Sequence, residues 1–421
     1  MDIADLYHSR ISNPLLNTSY PLHPEDWRQY KTSGTLSFEG EEEVSFYIHI
    51  PFCPHLCSYC EYTRMLLPAK EFQQQYLDTL KTDILRFKEE HPNLTLRGFD
   101  IGGGTPTALN DDCFNTLLNL YDEAISGMAL ATDFEPSIES TISLLSTTKL
   151  AAIAHHGIKR VSIGLQSTSA PLLHEHRRRE ATTEELAQVI TLAHDAGIKK
   201  VNIDLMYGLQ HQTHESLLAD LDVIQHVHPE QVTLYELRTN MIHQNPTHTI
   251  DWLFDAYSLL FDRLTDLGYN SQFGQNTFSV IPDDQGLSSY LRHRMLQGGS
   301  YKGFGISAQS MSHKGLAYNK GKNLTHIAEL LASNTFEGGH TYRLPPPELC
   351  SKYIAIAGYG GRFSLRHASE LLGTDAQEHF HSQITFCMQE HLLRYSKNDI
   401  LSITPKGFRH HGAVFSLFYL P

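Results

Sequence analysis

The sequence predicts an α/β fold: a partial (β/α)6 barrel of parallel strands, with an N-terminal arm before it and a helical, winged-helix-like domain after it. Three observations lead there. Strand-like and helix-like runs alternate six times between residues 44 and 237, the pattern of parallel βα units. Polar residues stand toward the ends of those strands, where such barrels keep their working face. Beyond Leu237 the alternation stops, and Pro345-Pro346-Pro347 separates it from helical text. With 421 residues, the chain has room for a barrel and a smaller domain. The expected divisions are 1–43 (arm), 44–240 (barrel), 241–344 (barrel extension) and 345–421 (C-terminal domain).

Taken in order, 1–43 shows little periodicity, ends in Glu41-Glu42-Glu43 and reads as an irregular arm lying on the barrel. Residues 44–50 are β-branched and aromatic, a strand. Phe72, Tyr76, Leu80, Ile84 and Phe87 recur at helical spacing, so a helix runs to Glu90. The strand 95–101 runs into Gly102-Gly103-Gly104-Thr105-Pro106. Glycines at a strand end let backbone approach a ligand closely and accept positive φ, although Gly-Pro is also an ordinary turn. Helices follow at about 113–125, 143–155, 184–196 and 214–227; strands end near 138–140, run 160–165 into Gln166, and cover 200–206 and 231–237. Glu139, Gln166, Asp204 and Glu236 fall at the strand ends by this reading. A polar strand-end residue can equally cap a helix. Residues 250–267 are helical, 301–311 are punctuated by glycine, and 401–403 with 414–419 read as a closing pair of short strands.

Cys53, Cys57 and Cys60 follow the first strand at Cys-x3-Cys-x2-Cys spacing. Three thiolates on one short loop suit an iron-sulfur cluster, leaving a fourth iron open to an exogenous ligand. Zinc is the alternative, with His49 or His55 as a fourth ligand, but structural zinc usually adds a second, distant pair. Cys113, Cys350 and Cys387 stand singly. Cysteine used this way fits a reducing compartment. His379, His381, His410 and His411 lack ligand spacing and read as surface residues.

The formal charge of −14 disfavours nucleic-acid binding, which rests on a basic surface. A wing in the C-terminal domain does not change that expectation. No apolar stretch approaches a membrane span, and the first residues show no cationic region leading into an apolar one. A cytoplasmic location is expected.

The triplet behind YIHIPFC, followed by GGGTP, resembles the radical SAM superfamily, and VSIGLQS, NIDLMYGL and TPKG are similar to its oxygen-independent coproporphyrinogen III oxidase family. Thr18-Ser19-Tyr20-Pro21 resembles a segment found upstream of the cluster there, and YKGFGISAQSM the segment that closes over the adenosyl group. The resemblance implies a radical SAM barrel, with a 4Fe-4S cluster on Cys53, Cys57 and Cys60. It implies one S-adenosylmethionine near Tyr47, Gly103 and Glu139, and a second near Tyr59, Gly104, Thr105, Gln166, Arg178 and Asp204. The catalytic candidates are Gln166, Arg178 and Asp204.

It also implies reductive cleavage of S-adenosylmethionine to a 5'-deoxyadenosyl radical, fed by an electron donor such as flavodoxin or ferredoxin. Two departures bear on the reaction. The oxidases carry a further cysteine where this chain has Tyr62, and the haem-chaperone branch carries a His-Asn pair and a tryptophan where it has Arg292-His293-Arg294-Met295. The expected substrate is therefore an unsaturated small organic molecule, tetrapyrrole or natural product, modified by methyl transfer, ring opening or cyclopropane formation with the second S-adenosylmethionine. Oxidative decarboxylation of coproporphyrinogen III, and haem binding without turnover, are the alternatives. A monomer is expected.

Overall fold

The computed structural model describes residues 2–11, 20–239, 241–242, 244–322, 327–397 and 399–420. Thr18 and Ser19 of the upstream segment lie outside the described residues.

Six parallel strands form the barrel: β1 (Glu43–Ile50), β2 (Thr95–Gly103), β3 (Ser137–Ser140), β4 (Arg160–Gln166), β5 (Lys200–Tyr207) and β6 (Gln231–Glu236). They pair in sequence order, each linked by helical crossovers as parallel pairing requires. The outward positions are apolar. Phe46, Ile48, Phe99, Ile101, Val161, Ile163, Val201, Ile203, Val232 and Leu234 are buried in one core shared with the surrounding helices. Each such side chain, fully buried, contributes about 1.5–3 kcal/mol. Phe46 packs edge-on against Phe87, Phe99 and Phe304 at 5.6, 5.8 and 5.2 Å.

The inward positions are polar, unlike the branched apolar layers of a filled barrel. Register aligns Asp100 with Tyr47 and Ser137, Glu139 with Ser162, and Asp204 with Gly164 and Thr233. This alternation is the period of two expected where one strand face meets a solvated lumen.

The sheet continues past both barrel edges. Tyr301–Phe304 pairs parallel with β1, and Gln309–Ser312, Gly315–Tyr318, His340–Arg343 and Lys31–Thr32 follow antiparallel. Beyond β6, Thr277–Ser279 pairs antiparallel. Among the described residues, no helix is long and apolar enough to cross a membrane.

The end regions differ from the sequence expectation. The N-terminal segment contains a helix, Ile3–Ile11, and it packs on the C-terminal domain through Tyr7 rather than on the barrel. At nine residues it depends on that packing rather than on its own propensity. Residues 414–419 form no strand: His411–Ser416 is helical, and Val414, Phe415, Leu417 and Phe418 are all buried. A short apolar run buried on every side carries no period to separate helix from strand. The strand 400–403 instead pairs with Leu393–Lys397 and Arg362–Ser364.

Candidate active site at the barrel mouth

The three cysteines leave β1 as a loop held at both ends. Met65 N–H donates to Pro51 O at 2.8 Å and Leu67 N–H to Cys53 O at 2.9 Å. Inside it, Arg64 Nη2 donates to Cys57 O at 2.6 Å, and Ser58 is tied to His176 through Nδ1 (2.7 Å) and through its own amide.

The glycine run locks onto this loop from β2. Gly104 N–H donates to Ile50 O at 2.7 Å and Thr105 N–H to Phe52 O at 2.8 Å. A Cβ on Gly104 would lie 2.8 Å from Ile50 O, Phe52 O and the Pro51 carbonyl carbon. Gly103 has φ +111°, and a Cβ there would strike the His49 ring. That ring is occupied elsewhere: Nε2 contacts Thr63 O at 2.8 Å, and burial pushes its pKa down to about 4. His49 is thus a neutral prop beneath the glycines and does not turn toward the cysteines as a zinc ligand would.

All six cysteines are free. Thr105 Oγ1 stands 3.9 Å from Cys53 Sγ and Arg178 Nη1 3.7 Å from Cys57 Sγ. Burial pushes the Cys53 thiol up to about 11, with Thr105 opposing, so a bound metal cation would be what makes a thiolate of it at neutral pH. Among the described residues, no three His, Cys, Asp or Glu side chains gather to hold a single metal ion. Three thiols spread along a loop, with an arginine and a threonine beside the sulfurs, fit a multi-iron cluster.

Of Arg177, Arg178 and Arg179, Arg178 turns inward, donating through Nη2 to Gly164 O, while its two neighbours are exposed. Gln166 closes β4 at φ +75°, where the pairing with β5 slips. A Cβ on Gly164 would meet Gln166 Nε2 and Arg178 Nη2 at 2.7 and 3.0 Å, so both side chains crowd one point. Asp204 is not at a strand end. It sits inside β5, facing the lumen, and accepts from Asn202 Nδ2 (2.7 Å) and Ser162 Oγ (3.2 Å). Burial, then the nearby charge of Glu139, push its pKa up to about 7. Glu139 accepts from Gly103 N–H at 3.0 Å; lumen walls that strip it of water raise its pKa, although water still reaches its side chain. Tyr47 lies over Tyr290 at 5.6 Å, nearly parallel. Tyr59 packs edge-on against His176. Tyr62 is 55% exposed beyond Cys60.

Several lumen residues were not singled out by sequence. Asp100 Oδ2 accepts from Ser288 Oγ at 2.6 Å, while its Oδ1 is buried with no hydrogen-bond partner among the described residues. Arg160 donates to Gln231 and Ser137 at 2.7 and 3.0 Å. Their signal was strand parity: Asp100, Ser137 and Arg160 share one level of the register. Glu236, at the end of β6, accepts from Tyr207 at 3.1 Å. His379 and His381 are exposed as expected, but His410 and His411 are half-buried and line a cleft.

Residues 47–224 match the model of the Radical SAM superfamily. The heme chaperone HemW of Haemophilus influenzae is 30% identical over 239 residues, covering 54% of this chain and 60% of its own length. The oxygen-independent coproporphyrinogen III oxidase of Salmonella typhimurium is 28% identical over 339 residues, 76% of this chain and 73% of its own. The solved structure of coproporphyrinogen III oxidase (HemN) from Escherichia coli superposes with a TM-score of 0.74 at 22% identity, over 90% of this chain and 91% of that one. It shares the fold.

Proposed function

Since this chain is a radical SAM protein related to the coproporphyrinogen III oxidases and heme chaperones, we propose that it is an enzyme of radical chemistry on an unsaturated, tetrapyrrole-class substrate. The observation that carries this reading is the convergence of three sequence-distant elements. The cysteine loop, the glycine run and Arg178 meet within hydrogen-bond or sulfur-contact distance at one barrel mouth.

Cys53, Cys57 and Cys60 hold a 4Fe-4S cluster. When bound, the cluster with S-adenosylmethionine supplies one-electron cleavage of a carbon–sulfur bond and a 5'-deoxyadenosyl radical. The chain's own residues do the rest. Tyr47, Gly103 and Glu139 would seat one S-adenosylmethionine. Tyr59, Gly104, Thr105, Gln166, Arg178 and Asp204 seat a second. Arg178 offers its cation beside Cys57, and Asp204, protonated or ionised near neutrality, can hold or release a proton at Oδ. An electron donor of the flavodoxin or ferredoxin type serves the cluster, and the protein acts as a monomer in the cytoplasm. The arm, barrel, extension and C-terminal domain divide at 43, 240 and 344.

Methyl transfer, ring opening or cyclopropane formation rests on the second S-adenosylmethionine and on Tyr62; decarboxylation rests on the named oxidases. Anaerobic reconstitution followed by dithionite is expected to give 5'-deoxyadenosine, lost when all three cysteines become alanine. S-Adenosylhomocysteine in turnover supports methyl transfer, while carbon dioxide and protoporphyrinogen from coproporphyrinogen III replace it with decarboxylation. The relation to heme chaperones favours a second reading: stoichiometric haem binding with no 5'-deoxyadenosine would establish it.

A further inference from the structure

The helix Ala170–Glu175, which follows β4, ends in a turn fixed by its own backbone. Arg177 N–H donates to His174 O at 3.0 Å and Arg178 N–H to Leu173 O at 2.8 Å, the paired bonds of a left-handed helix terminus. Arg177 takes the left-handed position, with φ +57°. Glycine is the usual occupant there, because a side chain adds strain. The turn is also pinned to the cysteine loop. Ser58, the residue after Cys57, donates its N–H to His176 O at 3.3 Å, and its hydroxyl meets His176 Nδ1 at 2.7 Å.

Held in this way, Arg178 lays its guanidinium against the cysteine loop. Nη1 donates to Cys57 Sγ at 3.7 Å and Nη2 to Gly164 O. No carboxylate pairs with Arg178 among the described residues, whereas Arg179 turns outward to Glu185 at 3.5 Å. The contact at Cys53 is neutral, the Thr105 hydroxyl at 3.9 Å. Arg64, the loop's own cation, donates to the carbonyl oxygens of Cys57 and Tyr62 instead of to sulfur. Among the described side chains, Arg178 is the cation that reaches a sulfur of the triplet.

We propose that Arg178 sets the reduction potential of the cluster by donating to Cys57 Sγ. Reduction adds one electron to the cluster and breaks no bond in the chain. The added negative charge spreads onto the cysteine sulfurs, where a charged N–H donor stabilises it more than a neutral donor does. Salt screens such a contact little, because the guanidinium is half-buried. The reduced form gains, the potential rises, and a one-electron donor loads the cluster more readily. The inference rests on the radical reading and gives Arg178 a role before any S-adenosylmethionine is bound.

The full-length protein is reconstituted anaerobically with iron and sulfide, its iron is counted, and its cluster is titrated with dithionite in the absence of S-adenosylmethionine. Electron paramagnetic resonance follows the reduction. Arg178→Met is expected to lower the ratio of reduced to oxidised cluster at the wild-type midpoint at least tenfold, which is about 59 mV for one electron. Arg178→Lys, which keeps a charge but not the fork, is expected to lower it less. Arg177→Gly removes the neighbouring charge, keeps the left-handed turn and is expected to leave the midpoint where it is. An unchanged or raised midpoint in Arg178→Met overturns the proposal. So does an equal shift in Arg177→Gly, which would make the effect one of overall charge and not of contact with sulfur. Should Arg178→Met not retain a full 4Fe-4S complement, Arg178→Gln is titrated in its place, and an unchanged midpoint there overturns the proposal. Loss of the cluster in both variants makes Arg178 a structural clamp and overturns it as well. A wild-type chain that takes up no 4Fe-4S cluster overturns the radical reading itself, while a complete cluster whose potential ignores Arg178 overturns this inference alone.

Discussion

Asp100 and Asp204 both lie inside the barrel, and burial is the leading cause that pushes the pKa of each up to about 7. Ser288 and Arg160 oppose the shift at Asp100; Glu139 adds to it at both. A carboxyl raised in the folded state binds more protons folded than unfolded between about pH 4 and pH 7, so folding stability falls as pH rises through that window. The contribution of these two carboxyls to the urea midpoint is therefore expected to fall between about pH 5 and pH 8. Asp100→Asn should flatten that slope, and an unchanged slope would show that the carboxyl is hydrated in the folded protein. At this scale the sequence announced residues whose type alone is unusual: three close cysteines, three consecutive glycines. Asp100, Arg160 and Asn202 were hidden because one polar residue in an apolar strand looks like a local exception until pairing stacks several at one level.

The meeting of the glycine run with the cysteine loop is a property of two elements together. Its sharpest test is Gly104→Ala, because the atoms a new Cβ would meet, Ile50 O, Phe52 O and Pro51 C, are all backbone and cannot rotate away. Displacing them would break the amide bonds from Gly104 and Thr105. A loss of about 1–3 kcal/mol is expected from such overpacking, read by chemical denaturation, together with lower iron content after reconstitution. Normal iron content and stability would mean that the loops are free to separate. Barrel elements were legible because each has a clear period, two in the strands and 3.6 in helices such as Lys70–Glu90. The antiparallel strands from 309 to 343 were not, since each described one is only four residues long. Too few residues repeat for alternation to register.

Across the whole molecule, the segment from Tyr20 to Thr32 joins parts that the sequence treated separately. Lys31–Thr32 extends the barrel sheet at His340–Arg343, and a few residues earlier the same segment reaches the C-terminal domain. There Glu348 accepts from Tyr20 Oη at 2.5 Å, Trp27 Nε1 at 2.8 Å and Tyr30 Oη at 3.4 Å. Lys352, one turn further along the same helix, donates to Tyr20 O at 2.7 Å. Composition could not show this, because a lone glutamate at the start of a helix ordinarily reads as a favourable charge near the dipole. One carboxylate taking three donors from the arm is a clamp, and removing it strands the indole N–H of Trp27, which is 2% exposed. An unsatisfied buried donor costs about 1–3 kcal/mol. Glu348→Ala is therefore expected to lower stability by about 2–4 kcal/mol with the loss of the neighbouring bonds, whereas Glu348→Gln, which keeps an acceptor, loses less. Thermal unfolding measures the difference, and limited proteolysis locates it: cleavage should appear first between residues 20 and 32 in Glu348→Ala. If that variant unfolds and is cut like the wild type, the arm is held by the Lys31–Thr32 pairing and by ring contacts such as Tyr20 on Tyr419, and Glu348 is not the clamp.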